Sequence, residues 1–577
     1  MFRQVSIKGI APALIALLVF MVYAATAYPT VSGGGDSAEL ITAAYTMGIA
    51  HPPGYPLLML LGKLFSFLPV GSIAFRINLL SGACGALAVY FLFLAILKLT
   101  RCNMIAALLG AGLFAFNQAV WHDATVAEVF ALNNCFAALL LYLAILYSQQ
   151  PRRNTAYWAA FVAGLSLTNQ QTIIFFILPI SVWFVWMNRH NPRHARIILK
   201  CFLLFLAGLL PYIYLPIAAS SHPALNWGQT NTILGFFRHV IRAEYGTFNL
   251  NSDRAADLKS TLSNLGTFIH ELAVVTLWCG LPLAALGFGV TTRRHAPSPG
   301  RLIAFCFLFY ILVFCYMAAT PLESQTSVLI FKRFWQLAFI PVFLWIGVGF
   351  SALQDSLHLQ PLTSVSIMAA LIGTQFVCNW ERCDQYNNYA FRDMALTYLE
   401  SAEPNALILD IDPMLSDSVR YLILAEGYRS DVKAIPIYKV TWGWFKPWAA
   451  VRYPDLTIPS GALDLHDWKH PGIYSLTELV RANYHKFPIY LDHPYRGAAG
   501  EDLAKSFGLY PFGYLKRVMT HDDFSRADKQ DWLKRGQLLL TRFNFENLKY
   551  SSPSQEEALE NNYRIFVDEW LQFKNEK

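Results

Sequence analysis

The sequence predicts a polytopic α-helical membrane protein of about eleven transmembrane helices, followed by a mixed α/β domain outside the cytoplasm. Composition is the first reason. Hydrophobic residues make up 55% of the 577 residues and charged residues 14%, against roughly 45–50% and 25% in soluble proteins. Mean hydropathy is +0.36. The second reason is charge distribution: residues 1–378 carry 21 Lys/Arg and only 10 Asp/Glu, whereas 379–577 carry 24 and 28. The third is a series of apolar runs through 1–378, near the roughly 20 residues a helix needs to cross a bilayer core about 30 Å thick. A disordered chain, a fibrous repeat and an ordinary cytosolic enzyme are excluded. Nucleic acid is not an expected partner, because the basic residues are spread between apolar runs rather than gathered on one face.

The expected spans lie near 9–28, 72–97, 104–119, 126–147, 155–168, 172–188, 198–217, 269–290, 302–320, 336–354 and 361–378. The first lacks a convincing small-residue cleavage site and reads as a retained span. Lys and Arg in short loops orient the chain. Thirteen of the 21, from Arg3 and Lys8 through Arg293, Arg294 and Arg301, fall on one side and mark it as cytoplasmic. Eleven is odd, so residues 379–577 are expected outside. Nine of the ten acidic residues of 1–378 then share the outer face, Asp355 alone being cytoplasmic. Acidic residues contribute little to orientation, so the bias points to a site at the outer surface, built on outer loops 29–71 and 218–268.

The densest polar cluster is Ser32-Gly33-Gly34-Gly35-Asp36-Ser37-Ala38-Glu39-Leu40. Its glycines admit positive φ and close approach to a ligand. Asp36 and Glu39 share a helix face, and a carboxylate at the membrane boundary can take a proton from a hydroxyl in flight. Both are catalytic candidates. The same spacing also fits a plain capping box, with Asp36 at N-cap and Glu39 at N3. His51-Pro52-Pro53-Gly54-Tyr55-Pro56 follows. Its prolines exclude a helix interior, so it is a rigid extended break. His51 and Tyr55 are substrate-binding candidates, His51 being suited to orient a phosphate or hydroxyl, or merely to cap or pack.

Glu128 and Asn133 would be embedded near the outer end of the fourth span, either for substrate or for helix packing. The fifth span has only about 14 residues, so the hairpin with Asn169 is expected below the outer surface, facing a cavity. Trp227 stands in Asn226-Trp227-Gly228 of the long outer loop. Arg238 and Arg242 follow at i and i+4, a spacing that puts two guanidinium groups on one helical face and suits a phosphate. Lys332 and Arg333 form a second basic pair. Anionic lipid headgroups are the other reading of these cations.

In 379–577, Ala406–Ile411 reads as a strand, Ser416–Glu426 as a helix ended by Gly427, and Asp431–Tyr438 as a strand. Phe487–Leu491 is a further strand and Gln555–Phe573 a closing amphipathic helix. No nucleotide-binding glycine motif stands where a strand feeds a helix. Seven of the nine cysteines lie in or beside apolar runs as packing residues. Cys378 and Cys383 leave a pairing open. No Cys/His spacing suggests zinc.

These segments together resemble the polytopic protein O-mannosyltransferases represented by transmembrane protein 260, within the GT-C glycosyltransferase superfamily. The carrying pieces are Gly35-Asp36-Ser37-Ala38-Glu39, His51-Pro52-Pro53-Gly54-Tyr55-Pro56, Ala127-Glu128-Val129-Phe130-Ala131-Leu132-Asn133, Gly164-Leu165-Ser166-Leu167-Thr168-Asn169, Asn226-Trp227-Gly228, Tyr245-Gly246 and Glu426-Gly427-Tyr428-Arg429-Ser430-Asp431-Val432. The resemblance is dense over about the first 250 residues and looser beyond. Ala38 replaces the family's usual glycine, and Gln170-Gln171 stand where a histidine is usual, which puts that hairpin's role in doubt. The resemblance implies a GT-C-like fold and an inverting transferase. The donor would be a polyprenyl- or dolichyl-phosphate hexose, mannose by resemblance alone. The acceptor would be a hydroxyl, foremost a Ser/Thr of a secreted or membrane protein. Asp36 would be the base, with Arg238, Arg242 or Arg333 meeting the departing phosphate. No metal and no cofactor are expected, and membrane lipids are the remaining partner. The chain has no Asn-x-Ser/Thr sequon, which favours a bacterial cytoplasmic membrane. A flippase for lipid-linked sugar and a polysaccharide polymerase or ligase are the other readings.

Overall fold

The computed structural model describes residues 7–33, 35–246, 258–293, 298–318, 331–410, 413–495, 497–540 and 554–576. Helices stand at each of the eleven expected places. Among the described residues, seven are long and apolar enough to cross a membrane, or nine if each of two bent pairs is one span. The bent pairs are Met104–Ala115 with Gln118–Ala124, turning by 67°, and Lys259–Val275 with Gly280–Thr292, turning by 103°. The fifth expected span is helix Arg153–Leu167, with 15 residues. At 1.5 Å per residue it falls short of a bilayer core of about 30 Å.

Gln336–Leu357 is buried along most of its length. It packs against Ile73–Leu99, Met104–Ala115, Val129–Gln149 and Gly280–Thr292. His194–Ser220 and Pro361–Cys383 instead leave most of their length uncovered by protein, and Leu199, Phe202, Leu203, Ile213 and Ile217 are exposed. That pattern is what lipid-facing helices require, since lipid tails solvate apolar side chains as well as protein does. Pro361–Cys383 runs past the expected boundary at 378. Cys378 is exposed and Cys383 buried on that one helix, both as free thiols, so the open pairing is not made.

The C-terminal domain, called the outer domain after the side on which it is expected, holds a five-stranded mixed sheet. Its strands are β1 (Leu407–Asp410), β2 (Lys433–Pro436), β5 (Ile489–Leu491), β6 (Gly508–Phe512) and β7 (Leu515–Met519), in the order β2-β1-β5-β7-β6. β3 (Ala462–Leu463) and β4 (Ile473–Tyr474) pair separately. β1 is parallel to both β2 and β5, and its residues are all buried. That is why Ala406–Ile411 reads as a continuous apolar run rather than an alternating one. Helix Pro413–Leu424 crosses from β1 to β2, the expected strand–helix–strand unit. The closing helix is Gln555–Glu576.

The two parts meet over the first of the two loops expected outside, residues 29–71. Helix Ser37–Thr46 packs on helix Pro413–Leu424. Trp448 Nε1 donates to Pro223 O at 3.0 Å, and Tyr28 Oη donates to Glu556 Oε1 at 3.2 Å. Gly33 lies so close under Phe391 of the outer domain that any Cβ there would collide with the ring.

Candidate active site

Helix Ser37–Thr46 begins immediately after Asp36. The capping box does not form. Asp36 makes no side-chain cap bond among the described residues. Its backbone N–H donates instead to Glu128 Oε1 at 2.8 Å. Glu39 turns to His51: Oε1 accepts from the His51 backbone N–H at 3.0 Å, and Oε2 lies 2.9 Å from Nδ1. A charged histidine outcompetes a backbone amide for the carboxylate, because charge-assisted hydrogen bonds are stronger. With both oxygens engaged and the residue 5% exposed, Glu39 holds His51 rather than meeting an acceptor. The expectation that Glu39 shares the proton transfer is revised accordingly.

His51 Nε2 lies 2.9 Å from Tyr55 Oη and 3.6 Å from Asp36 Oδ2. Burial works against the imidazolium, but the carboxylates of Asp36 and Glu39 outweigh it and raise His51 to about 9. Burial likewise works against the Glu39 carboxylate, but His51, with Lys439 and Arg420 behind it, holds Glu39 down at about 2. His51 is therefore a cation at neutral pH and not a base. Asp36, with 49% of its side chain exposed, is the carboxylate that an incoming group can reach.

Arg333 closes the other side. Its Nη2 lies 2.6 Å from Glu128 Oε1 and its Nε 3.6 Å from Asp123 Oδ1. Gln336 Nε2 donates to the second Asp123 oxygen at 2.6 Å. Gly35 sits between these groups at φ +68°, where a Cβ would collide with both the Arg333 guanidinium and the Glu128 carboxylate. Gly35 is thus required where the backbone crosses the ion pair. Arg333 is paired with Glu128, which answers the question of that buried glutamate's partner. Lys332 is paired with Glu271 at 2.9 Å.

The remaining candidates divide. Asn133 Nδ2 donates to Gln170 Oε1 at 2.6 Å and Thr172 Oγ1 at 3.2 Å. Asn169 Nδ2 donates to Val129 O at 3.0 Å. Both asparagines are buried and fasten the hairpin to the neighbouring helix start. Beside that hairpin opens a cavity of about 1150 Å³, walled by Gln171, Thr172, Phe175, Leu206, Ile213, Phe236 and further apolar side chains. Arg242 lies on its wall. Its guanidinium carbon lies 5.8 Å from the centre of the Tyr245 ring, which stands edge-on to His51 at 6.4 Å.

Arg238 is not beside it. The helix Ile233–Val240 ends first, and Arg242 takes φ +56° in the turn beyond. The expected common face is lost, and Arg238 is exposed. Trp227 is 3% exposed. It lies 5.7 Å from Trp444 of the outer domain, with Lys439 Nζ 4.5 Å above its ring.

Sequence reasoning missed Lys439 and Arg420, for which no local signal exists. Asp36, Glu39 and His51 each present a ligand atom within 4.8 Å of the others, a spacing that would admit a small cation.

The fold is of the GT-C type. ArnT from Cupriavidus metallidurans in the apo state superposes with a TM-score of 0.57 at 12% identity, over 88% of this chain and 96% of that one. ArnT bound to undecaprenyl phosphate gives 0.54 at 11% identity, over 88% and 97%. The profile of the protein O-mannosyl-transferase TMEM260 N-terminal domain matches residues 36–194, a stretch that opens on Asp36 itself. The mouse protein O-mannosyl-transferase TMEM260 is 33% identical over 87% of this chain and 73% of its own length. The Dictyostelium discoideum protein of the same name is 30% identical over 82% of this chain and 62% of its own. The chain belongs to the TMEM260 family of protein O-mannosyl-transferases and is an enzyme.

Proposed function

We propose that the protein moves a hexose, mannose by its kinship, from a polyprenyl- or dolichyl-phosphate sugar to a Ser/Thr hydroxyl of a secreted or membrane protein. The anomeric centre inverts. The observation that carries this reading is the half-exposed Asp36 carboxylate held beside the His51 cation, one tyrosine ring away from a large apolar cavity with an arginine on its wall. The cavity suits a lipid tail and Arg242 its phosphate. The names of the mouse and Dictyostelium relatives support mannose and a protein acceptor. The undecaprenyl phosphate in the ArnT crystal supports the donor class.

In the reaction, Asp36 takes the acceptor hydroxyl proton as that oxygen bonds to the sugar C1 from the face opposite the phosphate. The C1–O bond to phosphate breaks, and the phosphate leaves with the electron pair toward Arg242. A sugar phosphate already carries its leaving group, so positioning, deprotonation and charge neutralisation suffice. The basic loops support an extracytoplasmic position for the site and the C-terminal domain. The missing sequon favours a bacterial cytoplasmic membrane.

The test is transfer from a radiolabelled mannosyl-phosphoryl-polyprenol to an acceptor protein in detergent. The expected products are a single hexose on Ser/Thr, inverted at C1, and free polyprenyl phosphate. An intact sugar–lipid bond would make the protein a flippase, and a ladder of products would make it a polymerase. A reporter fused after Lys577 that is active only in the cytoplasm should stay silent.

A further inference from the structure

Lys439 lies on the short helix Ile437–Val440 that follows β2, and it is 3% exposed. Burying an ammonium is costly, and an apolar side chain of similar size would fill the same space without that cost. Its setting suggests a reason. With Leu225, Asn226, Arg420 and Trp448 it lines a pocket of about 20 Å³, room for about one water. The segment Pro223–Gly228 that forms one wall is gripped from the outer domain at two points, Trp448 on Pro223 O and Lys439 on the Trp227 ring. On its other side the same segment holds the loop that leads to His51: the Ile49 backbone N–H donates to Leu225 O at 3.0 Å. Tyr214 Oη donates to the preceding Gly48 O at 2.6 Å. The outer domain thus reaches the centre of the site along a continuous path of contacts. Arg420 and Lys439 both act on Glu39, while burial and the neighbouring Arg420 push Lys439 itself down to about 7.

We propose that Lys439 is a positioning residue, which fixes residues 48–51 through Trp227 and the Pro223–Gly228 segment and so sets His51 and Glu39 beside Asp36. This rests on the transferase reading above. Lys439 is buried against the Trp227 ring, so its loss should appear in kcat and not in donor affinity.

The experiment compares K439M, K439Q and K439R with wild type and D36N in the mannosyl-phosphoryl-polyprenol assay, with Tm measured alongside. K439M is expected to lower kcat tenfold or more, with donor KM within twofold of wild type and Tm unchanged or higher. K439Q should behave alike, and K439R should recover part of the rate. Wild-type kcat in K439M and K439Q would overturn the proposal, as would a rate loss that only follows a fall in Tm. K439R as impaired as K439M would overturn the role of the charge. Absence of product from the wild-type protein in the same assay would instead refute the transferase reading.

Discussion

His51 Nδ1 stands 2.9 Å from Glu39 Oε2 while the His51 backbone N–H donates to the other oxygen of the same carboxylate. One side chain thereby fixes both the ring and the backbone of the residue beside Asp36. The arrangement has a pH signature. His51, raised from 6.5 to about 9, contributes stability that is complete below about pH 6.5 and is lost as pH rises through 9. Glu39, lowered from 4.5 to about 2, contributes stability present above about pH 4.5 and lost as pH falls through 2. Both contributions are complete only between about 4.5 and 6.5. Tm in detergent should therefore fall between pH 6.5 and 9.5 in the wild type, and this fall should flatten in H51Q. Parallel curves for the two proteins would show that the pair does not carry the charge ascribed to it.

Asp36 is the reachable carboxylate. Because its side chain makes no cap bond among the described residues, neither D36N nor D36A removes one. Both do remove the carboxylate that stands 3.6 Å from His51 Nε2 and helps raise its pKa, so Tm should fall modestly and by a similar amount in each. Transfer should fall by roughly 10²–10⁴, the weight of a positioned general base. A well-folded D36N enzyme with near-normal transfer would return the role of base to Glu39, Asp123 or Glu128.

The sequence made part of this legible. Asp36, Glu39 and His51 are close in sequence, and a proline-rich break between apolar runs gathers them in one short stretch. The strand–helix–strand unit of the outer domain follows from a continuous apolar run, a helical spacing and a glycine stop. Two local patterns misled. The capping box failed because Glu39 had a charged competitor twelve residues on. The arginine pair failed because the helix ends at Val240 with no glycine or proline to signal it. Lys439 was out of reach for another reason. It stands four hundred positions from Glu39, and only the docking of the outer domain brings the two together.

Arg238 and Arg242 should separate in kinetics. Arg242 lies on the cavity wall, whereas Arg238 is exposed on the preceding helix. R242Q should raise the donor KM more than it lowers kcat, since a charge bound to the phosphate before and after transfer acts mainly on ground-state binding. R238Q should leave both within about twofold, as expected of an exposed substitution. Equal effects of the two substitutions would place the phosphate elsewhere.

The Arg333–Glu128 pair is the site's structural clamp, and its energetics should be non-additive. The Glu128 side chain is 0% exposed and that of Arg333 20%. In R333Q the glutamate keeps the Asp36 backbone N–H but loses its cation, and stranding one member of a buried pair costs about 3–5 kcal/mol. E128Q should cost less, because Arg333 retains Asp123 at 3.6 Å and glutamine can still accept from the Asp36 N–H. R333Q/E128Q removes both charges and should recover much of the R333Q loss. Tm or denaturation in detergent across the four proteins closes the cycle. Because Glu128 holds the Asp36 backbone, R333Q should also lose transfer, with the double variant regaining less activity than stability. Strictly additive stabilities would mean that Arg333 and Glu128 merely lie side by side, and the placement of Asp36 would then need another anchor.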